Sequence, residues 1–435
     1  MVSTGTHETE QGSTTPAAAG GGVRPLPSRR SMRVGLLVLF GCLAIWVWRR
    51  PEQAMHPYLW AEESVIVGRF LDAGWIGALH PLSGYMILPT TLLLPLAATV
   101  SFSHLAALEY VFATAVFALT VWLLIVPRSR WGGQRTRVLM AFAMVLCPAN
   151  PETFGILLYS FWWATLWPVI ILGWKRNLWW ARVPLLVIAG LSSPAGAAMA
   201  VPFAVSWWFT RRRSDLFGAG ILAGSVLIQA AALMTSDRGG GAVSATFDLP
   251  SVLRQCVRTG GLFATGWTAS AHGDHRFVAF VGVAVFGALT IAAVYALRRR
   301  RGVEPVLLLV TLALFTAVSS VPAPLRTDPE NTAPRYYFLP FILILWLLVH
   351  LGQRAILPKP ARLVAGALAG LSILGLSTTF SRPTASTTGH LNWRQELVVC
   401  AESDSAVVGI PIYTDGAMER LVSLDMTPAE CAAHL

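Results

Sequence analysis

The chain has 435 residues, of which 54% are hydrophobic and only 13% charged, with a formal net charge of +11. Soluble domains carry about one quarter charged residues, so this composition excludes a soluble globular protein and predicts an all-α polytopic membrane protein. The charge does not predict a nucleic-acid partner, because the basic residues fall in short clusters between apolar runs, the positive-inside pattern of membrane loops.

Residues 1–32 open with a Gly, Ser, Thr and Ala-rich stretch that predicts a disordered cytoplasmic tail. Arg29 and Arg30 resemble a twin-arginine export signal. The apolar run Val34 to Trp48 that follows ends in Arg49 and Arg50 without a small-residue cleavage site, which predicts an uncleaved first transmembrane helix. The remainder, 33–380, reads as a transmembrane domain, and 49–103 as its first external loop. That loop concentrates Trp60, Glu62, Glu63, Arg69, Asp72, His80 and Tyr85. From Glu62 to Trp75 the apolar residues Ile66, Val67, Phe70 and Leu71 have helical spacing, which predicts a helix lying on the membrane surface.

Charge patterning sets the expected topology. With a cytoplasmic N-terminus, the clusters Arg128 to Arg137, Lys175 to Arg182, Arg211 to Arg213, Arg298 to Arg301 and Arg354 to Arg362 all return inside only if one apolar segment does not cross. Tyr85 to Val100, interrupted by Pro89 and Pro95 and preceded by Pro81, is that segment, an interfacial or re-entrant piece. A break at Leu191 to Gly196 splits 183–209 into two short helices, and the total comes to about eleven transmembrane helices. Besides the first loop, the turn Asn150-Pro151-Glu152, the loop near 236–276 and Ala323 to Tyr337 then face outside. So does the polar tail 381–435, where a helix over Trp393 to Cys400 and a strand over Val407 to Ile412 predict a small α/β-like cap.

Several side chains are candidates for chemistry. The adjacent acids Glu62 and Glu63 could serve at headgroup level, or could be solvated charges favoured at a helix N-terminus. Arg335, in Pro334-Arg335-Tyr336-Tyr337, and Arg326 before it could clamp a phosphate, or snorkel among lipid headgroups. Asn150 and Glu152 read first as turn chemistry and otherwise as part of a polar cavity. His272, Asp274 and His275 are metal-ligand types without a completing set. Trp162, Trp163, Trp179 and Trp180 read as interfacial belt anchors that could also stack on a sugar. Cys42 and Cys147 read as packing residues, while Cys400 and Cys431 could form a disulfide in an oxidising compartment, with Cys256 a competitor. No Gly-x-x-x-x-Gly-Lys or Gly-x-Gly-x-x-Gly motif points to a nucleotide site.

The order of these features, from Trp60-Ala61-Glu62-Glu63 through His80-Pro81-Leu82-Ser83-Gly84-Tyr85, the Asn150 to Glu152 turn and the Ser192-Ser193-Pro194 break to Arg335-Tyr336-Tyr337, resembles the GT-C superfamily of integral-membrane glycosyltransferases. The resemblance implies a polyprenyl-phosphate sugar donor and a cell-envelope glycan or lipid acceptor on the outer face of a bacterial plasma membrane. It further implies a general base at Glu62 or Glu63, which of the two being left open. Arg335, with Arg326, would bind the donor phosphate, and Trp60, His80, Tyr85, Asn150, Glu152 and Tyr336 would line the substrate cavity. No cofactor is required by this reading, although a divalent metal is compatible with it. The rival expectations are a lipid-linked-sugar transporter and a non-catalytic envelope assembly protein.

Overall fold

The computed structural model of the chain describes residues 29–82, 84–148, 153–235, 249–271, 275–299, 302–320, 334–353, 357–375, 392–412 and 422–435. The first apolar run forms α1 (Arg29–Arg49), and the loop after it holds α2 (Pro51–Met55), α3 (Ala61–Ala78) and α4 (Leu88–Val100). A 3-10 turn, Phe102–His104, leads into α5 (Leu105–Ile125), α6 (Gln134–Val145), α7 (Ser160–Leu172) and α8 (Trp179–Gly190). Next come α9 (Pro194–Ala198), α10 (Ala200–Thr210), α11 (Arg213–Thr235), α12 (Leu249–Ala271), α13 (His275–Arg298) and α14 (Glu304–Ser320). After a second 3-10 turn, Pro334–Tyr337, run α15 (Phe338–Gln353) and α16 (Lys359–Gly375). The tail forms α17 (Trp393–Ala401), an antiparallel hairpin of β1 (Val408–Ile412) and β2 (Val422–Met426), and α18 (Pro428–Ala433).

Four helices are long and apolar enough to cross a membrane, Ser31–Arg49, Phe102–Ile125, Arg213–Met234 and His275–Arg298, and shorter apolar helices lie among them. Leu37, Phe40, Leu227, Met234, Phe280 and Ile291 are exposed on their outer faces, which suits a lipid surround. The core is built from two short helices that are apolar all round. Every residue of α7 is buried, as is nearly every residue of α15, so neither presents a polar face to solvent. On α1, Trp46 stacks on Phe117 of α5 with centroids 4.3 Å apart.

The end of α1 is fixed by a buried cation. Arg49 Nη1 donates to Val145 O at 2.9 Å and Cys147 O at 2.6 Å, at the carboxyl end of α6, and its guanidinium lies 3.9 Å from the Phe154 ring centroid. A positive charge there complements the helix dipole and takes carbonyls that have no partner within the helix. Arg49→Met keeps the apolar stem and removes these bonds, so we expect a loss of about 2–3 kcal/mol, read from thermal melts of the purified protein in detergent. An unchanged melt would show that the bonds contribute nothing net.

At the opposite end of α5 three of the basic clusters meet. Lys175 N–H donates to Arg128 O at 2.9 Å, and Asp215 lies 3.1 Å from Arg182 and 3.8 Å from Arg130. Ser206 completes the cluster, donating to Asp215 at 2.6 Å and accepting from Arg130 at 2.8 Å. Separated by the length of α5, about 30 Å at 1.5 Å per residue, these charges and the first-loop residues belong to two different faces.

The break at Leu191 to Gly196 is present. α8 stops at Gly190, and α9 restarts with Ser193 as its N-cap, whose Oγ accepts from Gly196 N–H at 3.0 Å, and with Pro194 in the first turn. The proline-interrupted segment is less broken than expected. Pro95 sits inside a continuous α4 of 13 residues, about 20 Å long, which is shorter than the hydrocarbon layer. The region 236–276 is not simply a loop, since its larger part is α12. That helix packs on α13 so closely that a Cβ on Gly282 would lie 1.8 Å from Val257 O. Arg254, Gln255 and Arg258 fall on this helix, which also buries Leu262 and Phe263.

The tryptophans divide. Trp179 and Trp180 are exposed, as belt anchors are, whereas Trp162 and Trp163 are buried in the core. Cys42 and Cys147 are buried and free, and Cys400 is bridged to Cys431.

Candidate functional site

The first-loop acids have different surroundings. Trp60 is the N-cap of α3, which puts Glu63 at the third helical position, from which a carboxylate can reach back to the N-cap amide. It does so: Trp60 N–H donates to Glu63 Oε2 at 2.8 Å, and Leu158 N–H donates to Glu63 Oε1 at 2.7 Å. Glu63 is 0% exposed. Burial pushes its carboxyl up to about 7, against the lowering effect of those amides and of a hydrogen bond from Glu109, while Glu62 adds to the rise. Glu62, one residue earlier, is half-buried, and its Oε2 is shielded from solvent without a hydrogen-bond partner.

Glu109 of α5 is the residue that sequence reasoning missed. It is 0% exposed, accepts from Leu157 N–H, and lies 3.5 Å from Gln53 Nε2. The two buried acids therefore take consecutive amides of the turn before α7, and the hydrogen bond between them requires one proton. Thr90 Oγ1 holds the same turn from α4, at 3.0 Å from Leu157 O and 3.1 Å from Leu158 O. Gly155 within this turn has φ 76°, and a Cβ there would lie 3.0 Å from Gln53 and 3.1 Å from Tyr110. Arg50, which donates to Tyr58 OH at 2.5 Å and Glu52 at 3.2 Å, braces the loop beside it. A single acid inside an apolar helix gives no motif. Its one sequence signal is a carboxylate in an otherwise uncharged span, which marks a polar partner.

The expected cavity residues fall into three groups. Trp60, Tyr85 and Tyr336 are joined through one aromatic run. Trp60 meets Tyr159 with centroids 6.0 Å apart, Tyr85 meets Phe161 at 6.3 Å, Phe161 meets Trp162 at 4.7 Å, and Trp162 meets Tyr336 at 6.0 Å. His80 stands apart, exposed beyond the kink at Gly74 that ends the regular part of α3. Asn150, Glu152, Arg326, His272 and Asp274 lie outside the described residues, as do the N-terminal residues 1–28. For Arg335 the backbone is described, in the 3-10 turn beside Tyr336, and the side chain is not. At the end of this turn, Tyr337 is hydrogen-bonded to Gln255 and close to Arg258 of α12, so a second arginine missed by the sequence reading approaches the same end of α15.

The tail cap covers α3 and the 3-10 turn after α4. Trp393 Nε1 donates to Phe102 O at 2.6 Å, and the Phe102 ring stacks against His434 with centroids 4.2 Å apart. Leu424 of β2 faces Gly68 of α3, where an added Cβ would touch it at 3.9 Å. Among the described residues no three His, Cys, Asp or Glu side chains gather as they would around a metal ion. No known protein family, no curated protein and no solved structure matches the chain significantly.

Proposed function

We propose that this protein is a membrane glycosyltransferase that moves a sugar from a polyprenyl-phosphate donor to a cell-envelope glycan or lipid acceptor. In this reading the chain has about eleven membrane helices, a cytoplasmic N-terminus and an external cap, and it works at the outer face of a bacterial plasma membrane. The observation that carries the reading is the division of labour in the acidic pair. Glu63 has both oxygens engaged by amides, whereas Glu62 keeps an oxygen with no partner beside an aromatic run that ends next to Arg335.

Glu62 is the base. Its carboxylate takes the proton of an acceptor hydroxyl as that oxygen bonds to the anomeric carbon, and the bond from that carbon to the phosphate oxygen breaks. Polyprenyl phosphate leaves with the electron pair, its charge met by Arg335, with Arg326 in support. A nucleophile entering opposite the leaving phosphate inverts the anomeric centre. Glu63, Glu109 and Thr90 position the base by holding α3 against the turn before α7.

The test is transfer from radiolabelled polyprenyl-phosphate sugars in right-side-out and inverted vesicles. Label should pass to an envelope acceptor only where the outer face meets the donor. Label crossing the membrane with its phosphate bond intact would replace the transferase with a transporter.

A further inference from the structure

Buried indoles in this protein are, in most cases, hydrogen-bonded. Trp131, Trp163, Trp167, Trp174, Trp346 and Trp393 each donate to a named acceptor at 2.6 to 3.3 Å. Two depart from this pattern: Trp46, whose unpartnered Nε1 sits in a core stack with Phe117, Phe154 and Trp163, and, outside that stack, Trp162. It is 6% exposed, and its Nε1–H is buried with no acceptor. An unpaired buried donor costs free energy, and when several neighbours with the same chemistry have partners, packing necessity is a poor account of the exception. Its place is informative. Trp162 contacts Tyr336, next to Arg335, on one side and Phe161, which leads to Tyr85, on the other. An apolar, aromatic wall with one convergent donor is the chemistry that recognises a sugar ring, whose C–H faces pack on aromatic rings while its hydroxyls accept hydrogen bonds.

We infer that Trp162 is a sugar-recognition residue, its indole N–H donating to a hydroxyl of a pyranose or furanose seated against the Tyr85, Phe161 and Tyr336 rings. The inference rests on the proposed transfer function and specifies how that site holds its carbohydrate. The sugar belongs either to the lipid-linked donor or to the acceptor glycan, which share this chemistry.

The test is Trp162→Phe in the full chain, reconstituted in nanodiscs, with Trp163→Phe as the contrast. Trp162→Phe removes an unpaired N–H together with one ring of the indole, so its melting temperature should fall by the cavity term alone, less than in the contrast variant. Trp163→Phe removes a bond to Thr153 O at 2.7 Å and should melt lower. Equilibrium binding is then measured with farnesyl-phosphate-linked glucose, galactose, mannose and arabinose, with farnesyl phosphate alone, and with free oligosaccharides of the same sugars. Trp162→Phe should bind a sugar-bearing probe roughly 3- to 10-fold more weakly while binding farnesyl phosphate as the parent does, and Trp163→Phe should change neither. Weakening confined to the lipid-linked probes assigns the sugar to the donor, and weakening confined to the oligosaccharides assigns it to the acceptor. Unchanged sugar binding in a folded Trp162→Phe overturns the inference and leaves the transfer reading standing. A Trp162→Phe that loses as much melting temperature as Trp163→Phe, or more, also overturns it, because the N–H then behaves as one with a partner within the fold. A parent protein that binds no sugar-bearing probe removes both.

Discussion

Glu62→Gln should leave a folded protein whose transfer rate has fallen at least about 100-fold, whereas Glu63→Gln should lower stability by about 1–3 kcal/mol. The two changes are chemically identical and one residue apart, so the contrast isolates environment. Gln at 62 removes the proton acceptor, and because Glu62 Oε2 has no partner to lose, the fold is indifferent. At 63 an amide can offer only one accepting oxygen. Either Trp60 N–H or Leu158 N–H then faces an NH2 group in a buried site, which is the costly kind of unsatisfied donor. Equal activity in Glu62→Gln and the parent, in an assay that detects parent transfer, would end the role proposed for Glu62.

The same acid sets a pH dependence. Burial raises the Glu63 carboxyl from 4.5 to about 7, so between these values the folded protein holds a proton that the unfolded chain has released. The contribution of this acid to stability is therefore greatest at the acid end of that window and falls as pH rises through it. Glu63→Gln should flatten this fall when melts are recorded across the window. A parent whose melting temperature rises over the same range would contradict the direction given for Glu63.

How much of this was legible in the sequence depends on the range of the interaction. The first apolar helix, the break before Pro194 and the cap elements at Trp393 and Val408 are local, written in apolar runs, a Ser-Ser-Pro stop and alternation. The aromatic connection of Trp60, Tyr85 and Tyr336 is not local, because the rings that join them, Tyr159, Phe161 and Trp162, lie far from all three in the chain, and Trp162 by itself reads as a belt anchor. Glu109 was invisible for a related reason. Its partner acid lies 46 positions away in the chain, and nothing in the neighbouring Leu, Ala and Tyr residues shows that helix α5 begins beside α3. Separating Glu62 from Glu63 likewise needed the turn at Leu158, 95 residues on, to supply the amide that engages one acid and not the other.

Replacing both Cys400 and Cys431 by Ser should destabilise the cap by about 3–4 kcal/mol, the chain-entropy value for a bridge between residues 31 apart. The cap is small, and among the described residues its own core is Trp393, Leu397, Ile410, Ile412, Leu424 and Met426 around the bridge, a small apolar surface for the bridge to reinforce. The loss reaches the site because the cap is docked on it. Trp393 is bonded to Phe102 O, and Leu424 lies over Gly68 of the helix that carries Glu62. The double variant should therefore show faster proteolysis within residues 392–435 and a weaker donor affinity, while the transmembrane helices stay resistant. Proteolysis at the parent rate would mean that docking alone holds the cap. The bridge also reports on orientation. A membrane-impermeant reductant reproduces the variant's protease sensitivity in right-side-out vesicles and not in inverted ones if the cap is external, and the reverse pattern places it, with the acidic pair beneath it, on the cytoplasmic face.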